Sequence, residues 1–514
     1  MNNIGEYTYI PFNGERFFTV TLLPDKHGQF PTVILRSPYV SALEHRPEEE
    51  IVEEYHTQYT AFTQRGYAVV IQHCRGQGKS SGAFIPYECE HEDGRALREW
   101  IRQQSFYNGE LYLFGGSYTA SLHYASAPFE EDIKGAVFEV QDTERYRLWY
   151  RNGQMRKGHA NWHFDLYKPK CGLIKTHSMR SFSALPLKGL SKRVLGEDAI
   201  DFEQMLEAPH PDQPFWQTRN GGVEAKEVTN RLPFPALFTT GYFDFYVGGM
   251  LAMWNAMDEN TRARCAMLVS PYDHSDRCDP TRGLSFPNGT RHEQFGAYAL
   301  DWFDHIRNGQ TLPYTLGHIT YYRMFENVWE DNFYGKPTVK RTLPLGNDTV
   351  TFAYDPQDPP HFPAEGMLLE KEPRNDVITL YAEPLDRDLF VKGKMELSLC
   401  VSSDCPDTSF YVGIGIQKAN GDYRLRHDIT SLAYQLGAYR ENEAVTLTFS
   451  FDEIAFLLKR GERLRVDITA TDDNAYVCHT NRVGPYHEQT DTTIAHNTVF
   501  LENSYLQLPI EKDV

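Results

Sequence analysis

The feature that most restricts the fold of this chain is a change in the period of its apolar residues. Through residue 140, short apolar runs alternate with helix-period stretches. Phe17–Leu23 alternates like a strand, and Thr32–Leu35 is a buried-strand run ending at Arg36-Ser37-Pro38-Tyr39. Tyr67–Gln72 runs into the glycine-rich stretch Arg75-Gly76-Gln77-Gly78-Lys79-Ser80-Ser81-Gly82. Glu92–Gln103 reads as a helix with Ala96, Leu97, Trp100 and Ile101 on one face, and Leu111–Phe114 and Gly135–Val140 read as further strands. Such alternation predicts a parallel α/β sheet, because parallel neighbours need a long crossover and a helix usually supplies it.

Past that point the period changes twice. Between Gln141 and Asn230, Trp149, Arg156, Trp162, Phe164 and Tyr167 recur at helical spacing, which predicts a helical insertion. Strand character returns at Pro235–Thr240 and Ala266–Ser270, followed by an amphipathic helix near Ala297–Ile306. After Leu312 only short alternating runs remain: Thr349–Tyr354, Val377–Tyr381, Gly393–Ser402, Phe410–Gln417, Ala444–Phe451 and Arg463–Thr469. They predict an all-β unit of sandwich or jelly-roll type. The expected organisation is an α/β core over 1–140, a helical cap over 141–230, the rest of the core over 231–312 and a β unit over 313–514.

Charge and length exclude several classes. Fifty-one basic against 70 acidic residues give a net charge of −19, which would repel a phosphate backbone, and no Lys/Arg-rich run offsets it. Nucleic acid is therefore not an expected partner. No apolar run approaches the roughly 20 residues that span a bilayer, and the opening MNNIGEYTYI lacks a signal-peptide pattern. Eight cysteines without a C-x-x-C pair suggest scattered thiols in a reducing cytoplasm, and no metal cluster stands out. The stretch Gly76–Ser80 lacks the spacing of a phosphate loop.

The chemistry is concentrated in Leu113-Phe114-Gly115-Gly116-Ser117-Tyr118-Thr119-Ala120. An apolar strand meets two glycines, a serine and residues able to start a helix. That is the form of a nucleophile elbow, where a sharp strand-to-helix turn presents the serine hydroxyl. Thr119 stands where the generic G-x-S-x-G pattern has its last glycine. A glycine-rich turn bearing an inert serine has the same local sequence, so the partners decide. A serine needs a base, and the base an orienting carboxylate, in the α/β-hydrolase chain order Ser, acid, His. Pro235–Thr240 leads into Gly241-Tyr242-Phe243-Asp244, and Ala266–Ser270 leads into Pro271-Tyr272-Asp273-His274. Ser117, Asp244 and His274 are the expected triad, with Asp273 the competitor for the acid.

These segments, together with Arg36-Ser37-Pro38-Tyr39, Arg75-Gly76, Ser81-Gly82 and Glu92-Asp93-Gly94, resemble the cocaine esterase/X-Pro dipeptidyl-peptidase superfamily, the CocE/NonD hydrolases. The resemblance covers nearly the whole chain. It implies an α/β-hydrolase domain with a helical cap and a C-terminal jelly roll of galactose-binding-like form. It implies an oxyanion hole made by the Tyr39 phenol and the backbone N–H of Tyr118. Two departures stand out: Ala120 replaces a glycine of the family's elbow, and His73 replaces an aspartate, which we read as a structural change.

The family's acyl pocket is built from cap aromatics and the residues after the catalytic aspartate. Tyr246, Trp149 and Trp162 are the candidate walls. Members that bind a substrate amine place carboxylates after the aspartate, and none follows Asp244 here. Glu139, Asp142 and Glu144 are the remaining candidates for that role. The expected protein is a serine hydrolase acting on a small-molecule ester or amide without a cofactor, first an esterase, then an Xaa-Pro-type dipeptidyl-peptidase, then a β-lactam-type acylase. The rival is a jelly-roll binding protein with a degenerate hydrolase domain. The oligomeric state stays open, a homo-oligomer included.

Overall fold

The computed structural model describes residues 4–127, 129–167, 179–217, 230–275, 283–290, 296–369 and 374–512. Parts of the expected cap, residues 168–178 and 218–229, lie outside them. A ten-stranded sheet organises the first part of the chain. Its middle is parallel, in the order Ala68–His73, Phe30–Ser37, Tyr107–Gly116, Ile133–Glu139, Ala236–Gly241 and Ala266–Ser270. Two antiparallel strands, Ile4–Phe12 and Glu15–Leu23, finish one edge.

The other edge extends past the boundary expected at residue 312. Ile319–Arg323 joins Ala266–Ser270 in parallel, and Val328–Glu330 closes the sheet. Both are short and flanked by turns, so their texture matches that of the β unit that follows; only their pairing assigns them. The parallel strands are buried on both faces, as Ala68–His73 is throughout, which is why they read as continuous apolar runs.

The β unit is built from two antiparallel sheets, one of eight strands and one of four. Their apolar faces meet, with the Phe352 ring 6.3 Å from that of Phe410. Several strands escape the sequence pattern, among them Gly421–Ser431, Ile454–Leu458 and Tyr505–Glu511. Gly421–Ser431 carries Asp422, Arg424, Arg426 and Asp428, all buried. A strand whose buried positions are ion-paired shows no apolar alternation.

The helical insertion is fixed to both of its neighbours. Tyr150–Arg151 and Gln154–Met155 form a small hairpin within it, followed by the helix Lys157–Leu166. Between the two, Arg156 bridges Tyr476 of the β unit. The Lys157 N–H donates to Ala475 O at 3.0 Å, and the Val477 N–H to Met155 O at 2.9 Å. Arg151 pairs with Asp428 at 2.7 Å and Asp452 at 3.0 Å, and Arg147 with Asp452 at 2.8 Å.

The helix Val247–Ala256 begins with glycines for a steric reason. A Cβ at Gly248 would overlap Asp452 and Arg147, and one at Gly249 would overlap the carboxylate of Asp142. Asp142 is 2% exposed, and burial pushes its pKa up to about 7. The unfolded chain holds this group near 3.9. Between those values the folded state keeps a proton that the unfolded state has lost, so stability falls as pH rises through that window. Each pH unit there is worth up to about 1.4 kcal/mol. Asp142→Asn removes the dependence. The melting temperature of the variant, relative to the parent, is expected to rise between pH 5 and pH 8; an unchanged difference would show that Asp142 is already ionised at pH 5.

Candidate active site

Four strand ends on one edge of the sheet carry the expected site residues. Tyr39 follows Phe30–Ser37, Ser117 follows Tyr107–Gly116, Asp244 follows Ala236–Gly241 and His274 follows Ala266–Ser270. All four strands are parallel, so this is the carboxyl edge, where open α/β sheets place ligands.

Ser117 has φ 55° and ψ −133°, a conformation that L-residues rarely adopt. The turn is tight enough that a Cβ on Gly115 would lie 2.5 Å from Thr119 O. Thr119 does not disturb it. Its Oγ1 accepts from the Gly116 N–H and donates to Gly116 O, both at 2.7 Å. Ala120 is fully buried in the helix Tyr118–Ala125. The Ser117 N–H donates to Glu139 O at 2.9 Å, tying the elbow to the next strand.

Beneath the elbow the remaining motif residues form one buried network. Tyr118 Oη donates to Glu90 Oε1 at 2.6 Å and accepts from the Tyr87 N–H at 2.7 Å. Arg36, 1% exposed, reaches Glu90 at 3.5 Å and Asp93 at 3.7 Å, and its Nε donates to Gln72 at 3.1 Å. Arg75 donates to Asp93 from the far side. His73 lies apart from this network and from the cavity. Its Nδ1 accepts from the Lys79 N–H and its Nε2 meets Tyr55 Oη at 2.9 Å, while burial pushes its pKa down to about 3. It is a neutral, satisfied interior group.

His274 Nδ1 lies 3.0 Å from Asp244 Oδ1. A carboxylate accepts, so Nδ1 carries the hydrogen and Nε2 carries the lone pair. The Asp244 side chain is fully buried, accepting also from the Tyr246 N–H and Thr240 Oγ1, each at 3.2 Å. Asp273 instead accepts from the N–H and hydroxyl of Ser275. The rings of Phe245 and Tyr246 stack on the imidazole at 4.9 and 5.6 Å.

Ser117 and His274 line one cavity of about 660 Å³, with Tyr39, Trp162 and Tyr246 in its wall. Trp162 Nε1 donates to Tyr39 Oη at 3.2 Å. Ser117 and the N–H of Tyr118 are near enough to that phenol to oppose the effect of burial on its pKa. Enclosure of the hydroxyl pushes its pKa up, so it stands as a protonated donor. The ring face is open, 47% exposed, because it looks into the cavity.

Trp149 corrects the sequence expectation. It is fully buried beneath the cavity, against His159, His163 and Phe202, and forms cap core rather than pocket wall. Glu139, Asp142 and Glu144 do not line the cavity either. The wall residues missed by sequence come from two places. Arg156 and His159 sit at the start of the cap helix, and His427, Asn474 and Ala475 belong to the β unit. The signal for Arg156 and Asn474 is a pairing between cap and β unit, and a single sequence does not display pairings.

With this geometry in place, known proteins supply the context. The family model described as X-Pro dipeptidyl-peptidase (S15 family) matches residues 13–276. That of the X-Pro dipeptidyl-peptidase C-terminal non-catalytic domain matches residues 290–507. A cocaine esterase from Rhodococcus sp. (strain MB1 Bresler) is 24% identical, over 92% of this chain and 91% of that one. An aminopeptidase from the marine sediment archaeon Thaumarchaeota archaeon superposes with a TM-score of 0.81 at 17% identity, over 99% of this chain and 97% of that one. An alpha-amino acid ester hydrolase superposes with a TM-score of 0.80 at 20% identity, over the same shares of each. At such identities the superpositions speak for the fold, whereas the first family model spans more than half of the sequence and takes in every strand end that carries the site; the chain is therefore a member of the X-Pro dipeptidyl-peptidase S15 family.

Proposed function

We propose that the protein is a serine hydrolase of small-molecule esters, with Ser117 as nucleophile, His274 as base and Asp244 as its orienting acid. The observation that carries this reading is the convergence of four strand ends: a strained serine, a histidine bound to a buried carboxylate at 3.0 Å, and a protonated tyrosine on one cavity. Ser117 Oγ attacks the ester carbonyl as His274 Nε2 takes its proton. The carbonyl oxygen gains charge and is held by the Tyr39 phenol and the Tyr118 N–H, donors fixed before the reaction starts. His274 then gives its proton to the departing alcohol, and Asp244 stabilises the imidazolium meanwhile. Water attacks the acyl-enzyme by the same route in reverse.

Trp162 has a positioning role in this scheme. By donating to the Tyr39 oxygen it occupies a lone pair and leaves the phenol hydrogen for the substrate. The six described cysteines are all unbridged, which supports placement in the reducing cytoplasm.

The family model favours a second reading, an Xaa-Pro-type dipeptidyl-peptidase. A dipeptide's terminal ammonium needs a carboxylate partner, and the described cavity wall contains none. The ester reading therefore stands first. Steady-state kinetics on aryl esters and Xaa-Pro anilides separate the two, and higher kcat/KM on the anilides would reverse the order.

Ser117→Ala is expected to lower kcat by about 10⁶ and to abolish labelling by a fluorophosphonate, with melting preserved. Residual activity above a tenth of the parent's would remove Ser117 from the role. Asp244→Asn is expected to cost about 10⁴ in kcat, and Asp273→Asn far less; the reverse order would reassign the acid. Tyr39→Phe is expected to lower kcat by about 10²–10³ with little change in KM, since the phenol bonds most strongly to the developing oxyanion. A lowered melting point with kcat intact would instead mark Tyr39 as structural.

A further inference from the structure

Among the described residues, cations along the seam between cap and β unit are matched by carboxylates, with Arg156 the exception. Arg147 and Arg151 share Asp452, and Arg151 also holds Asp428. Lys157 pairs with Asp473, Arg424 with Asp472 and Arg426 with Glu365. Arg156, one residue from Lys157, has no carboxylate partner among the described residues. Its guanidinium carbon lies 5.7 Å from the Tyr476 ring centre, and its buried Nε donates to nothing.

Arg156 is also the seam cation whose side chain enters the catalytic cavity. The described wall of that cavity contains no aspartate or glutamate. Beside Arg156 stand Asn474 and His159, and His159 Nε2 is buried without a hydrogen-bond partner. Burial, together with the guanidinium charges of Arg145 and Arg156, presses His159 toward its neutral form. The donor set is therefore a guanidinium, a neutral imidazole and the carboxamide of Asn474, which also donates to Phe362 O at 3.0 Å, while the carboxylates that adjoin it, Glu365 and Asp472, are engaged by Arg426, His427 and Arg424.

The position selects one part of the substrate. The departing alcohol must lie beside His274, which protonates it, and Phe245 and Tyr246 stack on that ring. The wall made by the cap helix and the β unit is left for the acyl group.

We propose that Arg156, assisted by Asn474 and His159, binds a carboxylate on the acyl portion of the substrate, so that the enzyme prefers esters of carboxylate-bearing acyl groups to those of neutral or amine-bearing ones. The assignment rests on the ester-hydrolase reading above and narrows its substrate class. Guanidinium and carboxylate match in geometry as a bidentate pair, which gives selectivity as well as attraction. The net charge of −19 works against anions at long range, so the preference has to come from local contact.

The test uses three 4-nitrophenyl esters of one acyl length, ending in a methyl, a carboxylate and an ammonium group. The parent protein is expected to show kcat/KM at least about tenfold higher for the carboxylate ester than for the ammonium ester, the range of one charge-assisted contact. Arg156→Gln should collapse the carboxylate-to-methyl ratio by a similar factor, and Arg156→Lys should restore part of it. Equal rates on all three esters, or a ratio unchanged in Arg156→Gln, would overturn the proposal. Calorimetric binding of the same esters to Ser117→Ala reads recognition without turnover. If the parent cleaves none of the three, the hydrolase reading falls, while tighter binding of the carboxylate ester still supports the charge rule and its absence still refutes it. The same binding order on the parent scaffold decides the matter if Arg156→Gln fails to fold.

Discussion

The site hangs on one backbone constraint: Ser117 must hold a positive φ at the end of a buried parallel strand. A bend that sharp tolerates few neighbours. Gly115 is required because the following turn comes back against it. The strain persists only where the surroundings over-determine the turn. Thr119 closes it from inside through two hydrogen bonds to Gly116, and the Glu139 carbonyl fixes it from the adjacent strand. Below, Tyr118 is anchored on Glu90, which Arg36 holds in turn. The motif residues that look catalytic by their repetition thus include several whose work is to keep one serine in an unfavourable conformation.

The reach of the sequence follows the distance over which each feature is determined. The strand ends bearing Tyr39, Ser117, Asp244 and His274 were legible because a strand, its terminating turn and the polar residue after it are contiguous. Thr119 stands at the last glycine position of the generic pattern, and its hydroxyl closes the turn by bonding to Gly116. The strand Ile319–Arg323 was not legible, since its allegiance depends on a partner about fifty residues earlier. Trp149 and Trp162 occur at similar helical spacing, yet one is fully buried and the other reaches Tyr39. A helical period shows that two rings share an apolar environment, and only the packing shows which of them meets the cavity.

The seam between cap and β unit is held in a manner unlike the two cores. Asp452 lies between Arg147 and Arg151 and is held well below the usual carboxylate range by them, against the pull of its burial. Ion pairs of this kind add little net stability compared with apolar packing, but removing one partner from them is costly. Their value here is registry. The seam fixes where Arg156 and Asn474 stand relative to a serine on a different element.

The backbone bridge at Arg156 and Tyr476 also bears on the cavity. A cap that swung away would have to break the bonds from Lys157 to Ala475 and from Val477 to Met155, and separate Arg151 from Asp428. The described stretch from Tyr150 to Leu166 is therefore tied to the β unit, and a change on either side of this bridge is felt in the cavity wall that Arg156, His159 and Trp162 share with Asn474 and Ala475.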